Sequence, residues 1–384
     1  MAQAKQTHRV ADLERWMDAI APRRLAQSWD NVGLLAGRLD APLRRCLLCI
    51  DLTRDVLDEA IRVRAEAVVS YHPPLFQPIR SLCERGDAQS GPGPAVVHRA
   101  IRHGIAIYSP HTALDAADGG TGDAIAALCD AEIVGPLEHA TVPGSAAEIK
   151  LVTFVPADHV DRVADALSAA GAGRIGLYER CSFRIDGTGT FFGGEETDPV
   201  VGKKGRLETV AEVRLEMVCP TSRLPEAVAA MRRVHPYEEP AFDVYSLAGK
   251  PEAVGIGRLA RLPRPMRLDR LAARLREASG AAYVQIVGRG GQMVRELAIL
   301  VGSAGRLDEQ FPRSRAADVV ITGEIRHHDA LAFAGRGWCA IALGHWASER
   351  PVLSALADAL RRRMPGLEVR ISRRDRDPFS LATR

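Results

Sequence analysis

The chain has 384 residues, of which 46% are hydrophobic and 26% charged, which is typical of a globular protein with two or three domains. Its 51 Lys and Arg residues nearly balance 48 Asp and Glu residues, and the resulting charge of +3 argues against nucleic-acid or acidic-membrane binding through net charge. Arginine clusters at 361–363 and 373–376 are typical of solvated helix faces and tails.

The cysteines and apolar runs bear on the compartment. No apolar run approaches the roughly 20 residues that a membrane span needs, and residues 1–6 lack the apolar stretch of a secretory signal. Seven cysteines, an odd number, fit a reducing cytoplasm better than a disulfide framework. Cys46 and Cys49 lie inside strand-like text, whereas a redox pair is expected at a helix N-terminus, so we interpret them as buried small hydrophobes.

The first 140 residues alternate strand and helix signals. They predict helices over 10–20, 53–65 (with Thr53 as N-cap), 95–103 and 121–129, and strands over 46–52, 67–70 and 105–108. Apolar strands that alternate with helices predict a mostly parallel sheet covered on both faces.

The pattern changes between about 145 and 250. Strands over 149–155 and 211–218 and helices over 158–170 and 224–234 indicate a ferredoxin-like split βαβ unit. A glycine-rich stretch over 187–194 lacks a Gly-Lys-Ser/Thr ending and does not open a helix, which favours a hairpin or loop over a phosphate cradle.

From residue 253 the first pattern resumes. It predicts strands over 284–287, 297–301, 319–322, 339–343 and 367–371, and helices over 268–278, 326–334 and 349–364. The chain is therefore predicted to be an α/β protein whose mostly parallel sheet core, 1–144 and 251–384, is interrupted by a smaller ferredoxin-like α+β insert, 145–250.

Four possible metal ligands follow three of the predicted strands: His72, Asp115, His345 and Glu349. Ligands of open α/β sheets gather beyond the carboxyl ends of the strands, so these side chains can converge. His345 and Glu349 are four apart at a helix start and lie on one helix face. Alone, each has a simpler explanation: a structural histidine, a helix cap, a solvated pair. Together they predict a metal site.

The types of donor atom narrow the choice of ion and of reaction. Histidine and carboxylate without thiolate suit divalent Zn, Mn, Fe or Co, and Glu349 could bridge two ions about 3.5–4 Å apart to activate water. Glu324 and His328 form a further polar cluster, either orienting ligands or acting as a general acid–base pair; the alternative is acidic residues at a helix N-terminus. His327, Asp329 and His111 stay unassigned.

Several separated motifs resemble the Nif-three-like family of dinuclear-metal-centre hexameric proteins, also named type-two GTP cyclohydrolase-I homologues. They are Trp-Asp-Asn-Val-Gly-Leu at 29–34, the strand-to-His-Pro turn at 67–73, His-Thr-Ala-Leu-Asp at 111–115, Thr-Gly-Glu at 322–324 with His-Asp-Ala-Leu at 328–331, and Gly-His-Trp-Ala-Ser-Glu at 344–349. The insert, with His-Pro-Tyr-Glu-Glu-Pro at 235–240, is similar to a PII/CutA-like domain.

The resemblance implies that His72, Asp115, His345 and Glu349 bind one or two divalent ions per subunit of a ring-shaped homohexamer, facing an internal cavity. Family members carry two adjacent histidines before the proline, and here the first is Tyr71. A phenol is a poorer ligand at neutral pH because its pKa is near 10. One ion could therefore be weakly bound, held with help from His111 or water, or missing.

Two functions follow from these expectations. The first is a metal-dependent hydrolase acting on a nucleotide or another small molecule, the purine ring of GTP if the family label holds, with His328 or Glu324 moving protons. The alternative is a non-catalytic metal-binding oligomeric scaffold or regulator. Nucleic-acid binding through the arginine-rich C-terminus is the weakest hypothesis, since the net charge is near neutral.

Overall fold

The structure is a computed structural model that describes residues 8–79, 82, 92–141, 148–247, 251–303 and 317–382. It divides into two compact units. The larger combines Met1–Ala140 with Glu252–Arg384, and the smaller comprises Thr141–Pro251. The larger unit is therefore built from two separate stretches of chain.

The stretch before the smaller unit forms strands and helices in alternation. Its strands are β1 (His8–Arg9), β2 (Gly33–Ala36), β3 (Pro42–Leu43), β4 (Arg45–Cys49), β5 (Ala67–Ser70), β6 (Ala106–Ser109), β7 (Glu132–Gly135) and β8 (Glu138–Thr141). Its helices are α1 (Val10–Ile20), α2 (Arg54–Arg62), α3 (Pro92–Arg102), α4 (His111–Ala116) and α5 (Thr121–Leu128). The Thr53 side chain accepts a hydrogen bond from the Val56 amide and caps α2, as predicted.

The smaller unit is a four-stranded antiparallel sheet with two helices. Its elements are β9 (Glu148–Val155), α6 (Val160–Ala169), β10 (Phe183–Phe192), β11 (Leu207–Pro220), α7 (Leu224–Val234) and β12 (Phe242–Ser246). The strand order β10-β11-β9-β12 is that of a ferredoxin-like split βαβ unit. Apolar residues of α6 and α7 pack on one sheet face against Leu151, Leu215 and Met217. The glycine-rich stretch belongs to the β10–β11 hairpin, as its sequence indicates.

The final stretch returns to the larger unit. Its elements are β13 (Pro251–Ile256), β14 (Arg258–Arg267), α8 (Leu268–Ser279), β15 (Gln285–Val287), β16 (Met293–Ser303), β17 (Val319–Glu324), α9 (His327–Gly335), β18 (Cys339–Ala342), α10 (His345–Glu349), α11 (Val352–Arg363) and β19 (Glu368–Ile371). The single helix predicted over 349–364 is two helices, because Pro351 lacks an amide hydrogen and interrupts the turn between them.

The first sheet of the larger unit has the order β19-β4-β5-β6-β2, with every pair parallel except β6–β2. Side chains of β4 alternate between two cores: Cys46 and Leu48 face α1 and α11, and Leu47 and Cys49 face α2 and α3. Both faces are covered, which explains why the sequence of this strand is continuously apolar.

The second sheet has the order β15-β18-β17-β16-β14-β7 and is mixed. Only β16, β17 and β18 run parallel to one another. The prediction of a mostly parallel core is therefore right for the first sheet and wrong for the second. The sequence of β14 alternates buried with more exposed residues, the pattern of an antiparallel strand with one solvated face.

The cysteines and helices meet two further expectations. Cys46 and Cys49 are free and buried, and burial raises the pKa of the Cys46 thiol to about 12, so these residues pack as small hydrophobes. None of the helices in the described ranges is long and apolar enough to cross a bilayer.

The buried Glu59 of α2 anchors the chain after β19. Its carboxylate accepts hydrogen bonds from the Ser372 hydroxyl and from the amides of Arg373 and Arg374. Burial opposes the charge of Glu59, but these donors outweigh it and hold its pKa below the usual range. This anchor fixes the segment that carries Asp375, which reaches the candidate site.

We predict that Glu59→Gln lowers the free energy of unfolding by about 1.5–3 kcal/mol, because an amide nitrogen cannot accept these hydrogen bonds. The control is Asp58→Asn in the same helix, which removes a half-exposed partner of Arg99 and should change stability by at most about 1 kcal/mol. Denaturant unfolding of both variants measures the difference, and equal midpoints would show that Glu59 is no anchor.

Candidate metal centre

His72 follows β5, and its ring is held from one side by Asp51, which follows the neighbouring β4. Asp51 Oδ1 lies 2.9 Å from His72 Nδ1. A carboxylate can only accept, so Nδ1 carries the proton and donates. The other ring nitrogen, Nε2, lies 3.3 Å from Glu349 Oε2. The ring is therefore oriented with Nε2 toward Glu349.

His345 has the same arrangement from the second sheet. It begins α10 directly after Gly344, whose positive φ of 88° turns the chain from β18 into the helix. Its Nδ1 lies 3.0 Å from Oε1 of Glu324, at the end of β17, and its Nε2 lies 3.1 Å from Glu349 Oε1, one turn along α10. Both histidines thus direct Nε2 at one carboxylate while a second carboxylate holds Nδ1.

Glu349 is the buried centre of this cluster, with a side chain only 4% exposed. Its Oε2 is buried and has no partner with hydrogen-bond geometry among the described residues. His72, His345 and Glu349 offer ligand atoms that all lie within 4.8 Å of one another. Two oriented imidazole nitrogens and an orphaned carboxylate oxygen fit the donor set of a divalent ion.

The three side chains shift one another's protonation. Burial disfavours a charged His72, but Asp51 and Glu349 outweigh it and raise its pKa to about 10. The Glu349 carboxylate, partly offset by burial, raises the pKa of His345 to about 8. Burial would raise the pKa of Glu349, yet the two imidazoles hold it below the usual range. Without an ion, protons on both histidines neutralise the buried carboxylate at neutral pH.

Two glycines make room for the cluster. Gly302, near the end of β16, has a φ of 59°, and a methyl group there would collide with the Glu349 carboxylate and approach His345 Nε2 to 3.3 Å. A methyl group on Gly323 would meet Gly302 and Ser348. The Ser348 hydroxyl accepts from the Gly302 amide and donates to the His345 carbonyl. Bare backbone in β16 and β17 therefore lets α10 approach the sheet.

Asp115, the fourth predicted ligand, lies beside the cluster and outside its set of converging atoms. Its Oδ1 accepts hydrogen bonds of 2.6 Å from both the Tyr71 hydroxyl and the Thr121 hydroxyl. Removal from solvent raises the pKa of Asp115 despite these donors, and the Glu349 charge adds to the rise. Burial, Asp115 and Glu349 raise the pKa of Tyr71 well above its usual value, so it stays a neutral donor.

His111 lies next to His72 and Tyr71. Its ring centroid lies 5.3 Å from that of His72 and 5.4 Å from that of Tyr71. Its Nδ1 lies 2.8 Å from Asp30 Oδ1, and Asp30 also accepts from the amide and hydroxyl of Thr112. The aspartate of the Trp-Asp-Asn motif thus orients this histidine, which the sequence left unassigned.

The two residues of the predicted acid–base pair have different neighbours. Glu324 touches His345, the orienting role that the sequence left open. His328, in the first turn of α9, is exposed, and its recorded contact is with the His327 ring at 5.5 Å. Asp329 pairs with Arg326 across a turn of the same helix. Among Glu324, His327, His328 and Asp329, the contact with the cluster that the described residues show is made by Glu324.

Sequence reasoning missed Asp51, Gly302 and Asp375. Asp51 carries the signal used for the others, a polar residue just after an apolar strand. Asp375 accepts from the Ile50 amide at 2.9 Å and from Trp346 Nε1 at 3.2 Å. Asp375 therefore ties the segment between β4 and Asp51 to α10, the helix that begins with His345.

Comparisons with known proteins agree with this architecture. The model of the DUF34/NIF3 (NGG1p interacting factor 3) family matches residues 8–378. The GTP cyclohydrolase 1 type 2 homolog of Halalkalibacterium halodurans is 38% identical over 324 residues, covering 83% of each chain. That of Mycobacterium tuberculosis is 37% identical over 379 residues, covering 97% of each. A Bacillus cereus protein related to NIF3 has a crystal structure with a TM-score of 0.63 at 30% identity, covering 99% of this chain and 100% of that one. The chain therefore belongs to the DUF34/NIF3 family.

Proposed function

We propose that His72, His345 and Glu349 hold one divalent ion, of Zn, Mn, Fe or Co. The observation that supports this is the shared aim of two carboxylate-oriented imidazoles at a buried carboxylate with an unpartnered oxygen. Two histidines and one carboxylate leave further positions of such an ion open for water or substrate.

We propose a single ion per subunit, the lower of the two numbers that the family resemblance leaves open. Tyr71 occupies the place of the missing histidine and donates to Asp115 Oδ1. This hydrogen bond, with that from Thr121, engages one of the two oxygens that Asp115 could offer a second ion. A neutral phenol at this position offers a hydrogen instead of a lone pair.

The chemistry that this centre supports best is hydrolysis of a small electrophilic substrate. A divalent ion supplies Lewis-acid polarisation and lowers the pKa of water. Asp51 and Glu324 keep the imidazoles aligned, and Gly302 leaves room for the Glu349 carboxylate. The relatives' name, GTP cyclohydrolase 1 type 2 homolog, makes GTP and related purine nucleotides the first substrates to test. His328 remains our candidate for moving protons on the substrate side.

A non-catalytic metal-binding scaffold or regulator is the second candidate. The observation that favours it is the Tyr71–Asp115 hydrogen bond, which removes the second ion of a two-metal hydrolytic site. We also propose a homohexamer and a PII/CutA-like role for the insert in a cytoplasmic protein. The ferredoxin-like strand order of the insert supports the PII/CutA-like part, and native mass spectrometry tests the hexamer.

We predict that metal affinity rises with pH up to about 10. The ion must displace protons from His72 and His345, whose pKa values are raised to about 10 and about 8, so acid favours the protonated, metal-free form. Calorimetry in buffers of different ionisation enthalpy should show about two protons released per ion near pH 7 and about one near pH 9. Proton-independent binding between pH 7 and 9 would contradict the proposed ligands.

We predict that Tyr71→His raises the metal content from one ion per protomer to two, because it adds an imidazole and frees Asp115. Tyr71→Phe is the matched control, since it frees Asp115 without adding a ligand, and should keep one ion. Elemental analysis of the purified proteins counts the ions. Two ions in the unmodified protein would contradict the single-ion proposal.

The hydrolase proposal is tested with metal-loaded protein and a panel of GTP, other purine nucleotides and simple esters. We expect turnover that falls at least about a hundredfold in His345→Ala, since loss of an outer partner alone costs about 10–100-fold. His103→Ala, an exposed histidine after α3, is the control and should leave turnover unchanged.

The remaining variants separate the roles. Glu324→Gln should weaken metal binding by about 10–100-fold, whereas His328→Ala should lower turnover at unchanged metal content if it moves protons. A metal-loaded protein inert toward the whole panel would favour the scaffold.

A further inference from the structure

The smaller unit contains a cavity of about 590 Å³ that the proposed metal chemistry does not use. It lies between the β10–β11 hairpin and two loops, 193–201 and 237–241. Its volume is in the range of small-molecule sites, about 300–1,000 Å³. It opens on the sheet face opposite the two helices, since lining residues Glu212 and Arg214 alternate with the core residues Val213 and Leu215.

The walls of this cavity are aromatic and its floor is bare. Phe154, Phe191 and Tyr237 contribute rings, and Gly187 and Gly189 leave backbone without side chains. Gly187 pairs with Glu212 across the hairpin, and a methyl group on Gly189 would collide with the Glu212 carboxylate. The glycines therefore leave the space that the Glu212 side chain and a ligand would share.

A phenol hydroxyl and a carboxylate stand side by side in the cavity. Among the described residues, Glu212 forms no recorded ion pair, and the Tyr237 hydroxyl is buried with no partner of hydrogen-bond geometry. Burial raises the pKa of Tyr237, and the adjacent Glu212 carboxylate, an acceptor for the phenol, raises it further, so the phenol remains a neutral hydroxyl beside a carboxylate. A carboxylate has about four lone-pair sites, so Glu212 keeps acceptor capacity for a ligand beside the phenol.

The charged residues that line the cavity indicate the charge of the ligand it would bind. Three carboxylates, those of Glu212, Glu238 and Glu239, line the cavity with one guanidinium, that of Arg214, and Glu239 also lies 3.9 Å from Arg232. Arg214 is already paired with Glu216 at 2.8 Å and lies 5.8 Å from the Phe154 ring centroid. The cavity therefore has little to bind a phosphate or a carboxylate, whereas it offers a cation carboxylate oxygens and aromatic rings.

We propose that the insert binds a small organic cation, an ammonium or amidinium on a flat or apolar body. Its N–H groups donate to Glu212, the Tyr237 hydroxyl takes a further hydrogen bond, and the rings of Phe154 and Phe191 contact its body. The site belongs to the smaller unit alone and does not depend on the metal centre, so the two proposals can fail separately.

The test uses the full-length, metal-free protein and three compounds of one shape: benzamidinium, benzamide and benzoate. Calorimetric or NMR titration should show saturable binding of one benzamidinium per chain. Benzamide should bind at least about tenfold more weakly, because charge-assisted hydrogen bonds are roughly twice as strong as neutral ones. Benzoate should not bind.

Two variants locate the binding. Glu212→Gln should weaken benzamidinium at least about tenfold, and Tyr237→Phe by several-fold. Glu226→Gln, the same change on the exposed face of α7, and His345→Ala in the metal centre should leave binding unchanged. Absence of saturable binding, equal binding of benzoate, or an unaffected Glu212→Gln would each overturn the proposal.

Discussion

The candidate site depends on two hydrogen bonds that histidines donate to carboxylates, His72 to Asp51 and His345 to Glu324. Each fixes the tautomer and the ring direction, so that both Nε2 atoms face Glu349. A buried carboxylate is destabilising by several kcal/mol unless it is paired. Glu349 can be neutralised here only by protons on these rings or by a cation that replaces them. The same geometry therefore explains both the raised histidine pKa values and the fit to a divalent ion.

This geometry requires that ends of strands from two sheets keep fixed positions. The C-terminal segment provides the connection, because β19 joins the first sheet and α11 packs against it, while α10 precedes them at the second sheet. Asp375 then bonds both the end of β4 and Trp346 of α10. Glu59 anchors the turn before Asp375. A chain folded as two independent halves could not hold His72 and His345 at a common carboxylate.

The sequence indicated which side chains converge at the candidate site, and indicated their surroundings less well. Polar residues after apolar strands located His72, His345 and Glu349, and helical spacing paired the last two. The same rule would have found Asp51, which was overlooked. Gly302 carries no local signal, because its role depends on a helix 40 residues later, and the mixed second sheet depends on strands whose pairing is not local. The sequence shows that a tyrosine, Tyr71, stands where the resemblance predicts a histidine. The hydrogen bond from Tyr71 to Asp115 is visible only in the structure.

Glu349 and Glu212 are opposite solutions to one electrostatic problem. Glu349 is deeply buried, and burial alone would raise its pKa. The two neighbouring imidazoles, which are positively charged when protonated, lower it instead. Glu212 is only partly buried and stands beside a neutral phenol, with the nearest guanidinium already committed to Glu216. Water at the cavity mouth can solvate a partly buried carboxylate, so the fold tolerates Glu212 unpaired, whereas it could not tolerate Glu349 in that state. A ligand cation that displaced this water would have to replace its hydrogen bonds, and the Glu212 oxygens together with the Tyr237 hydroxyl are placed to do so.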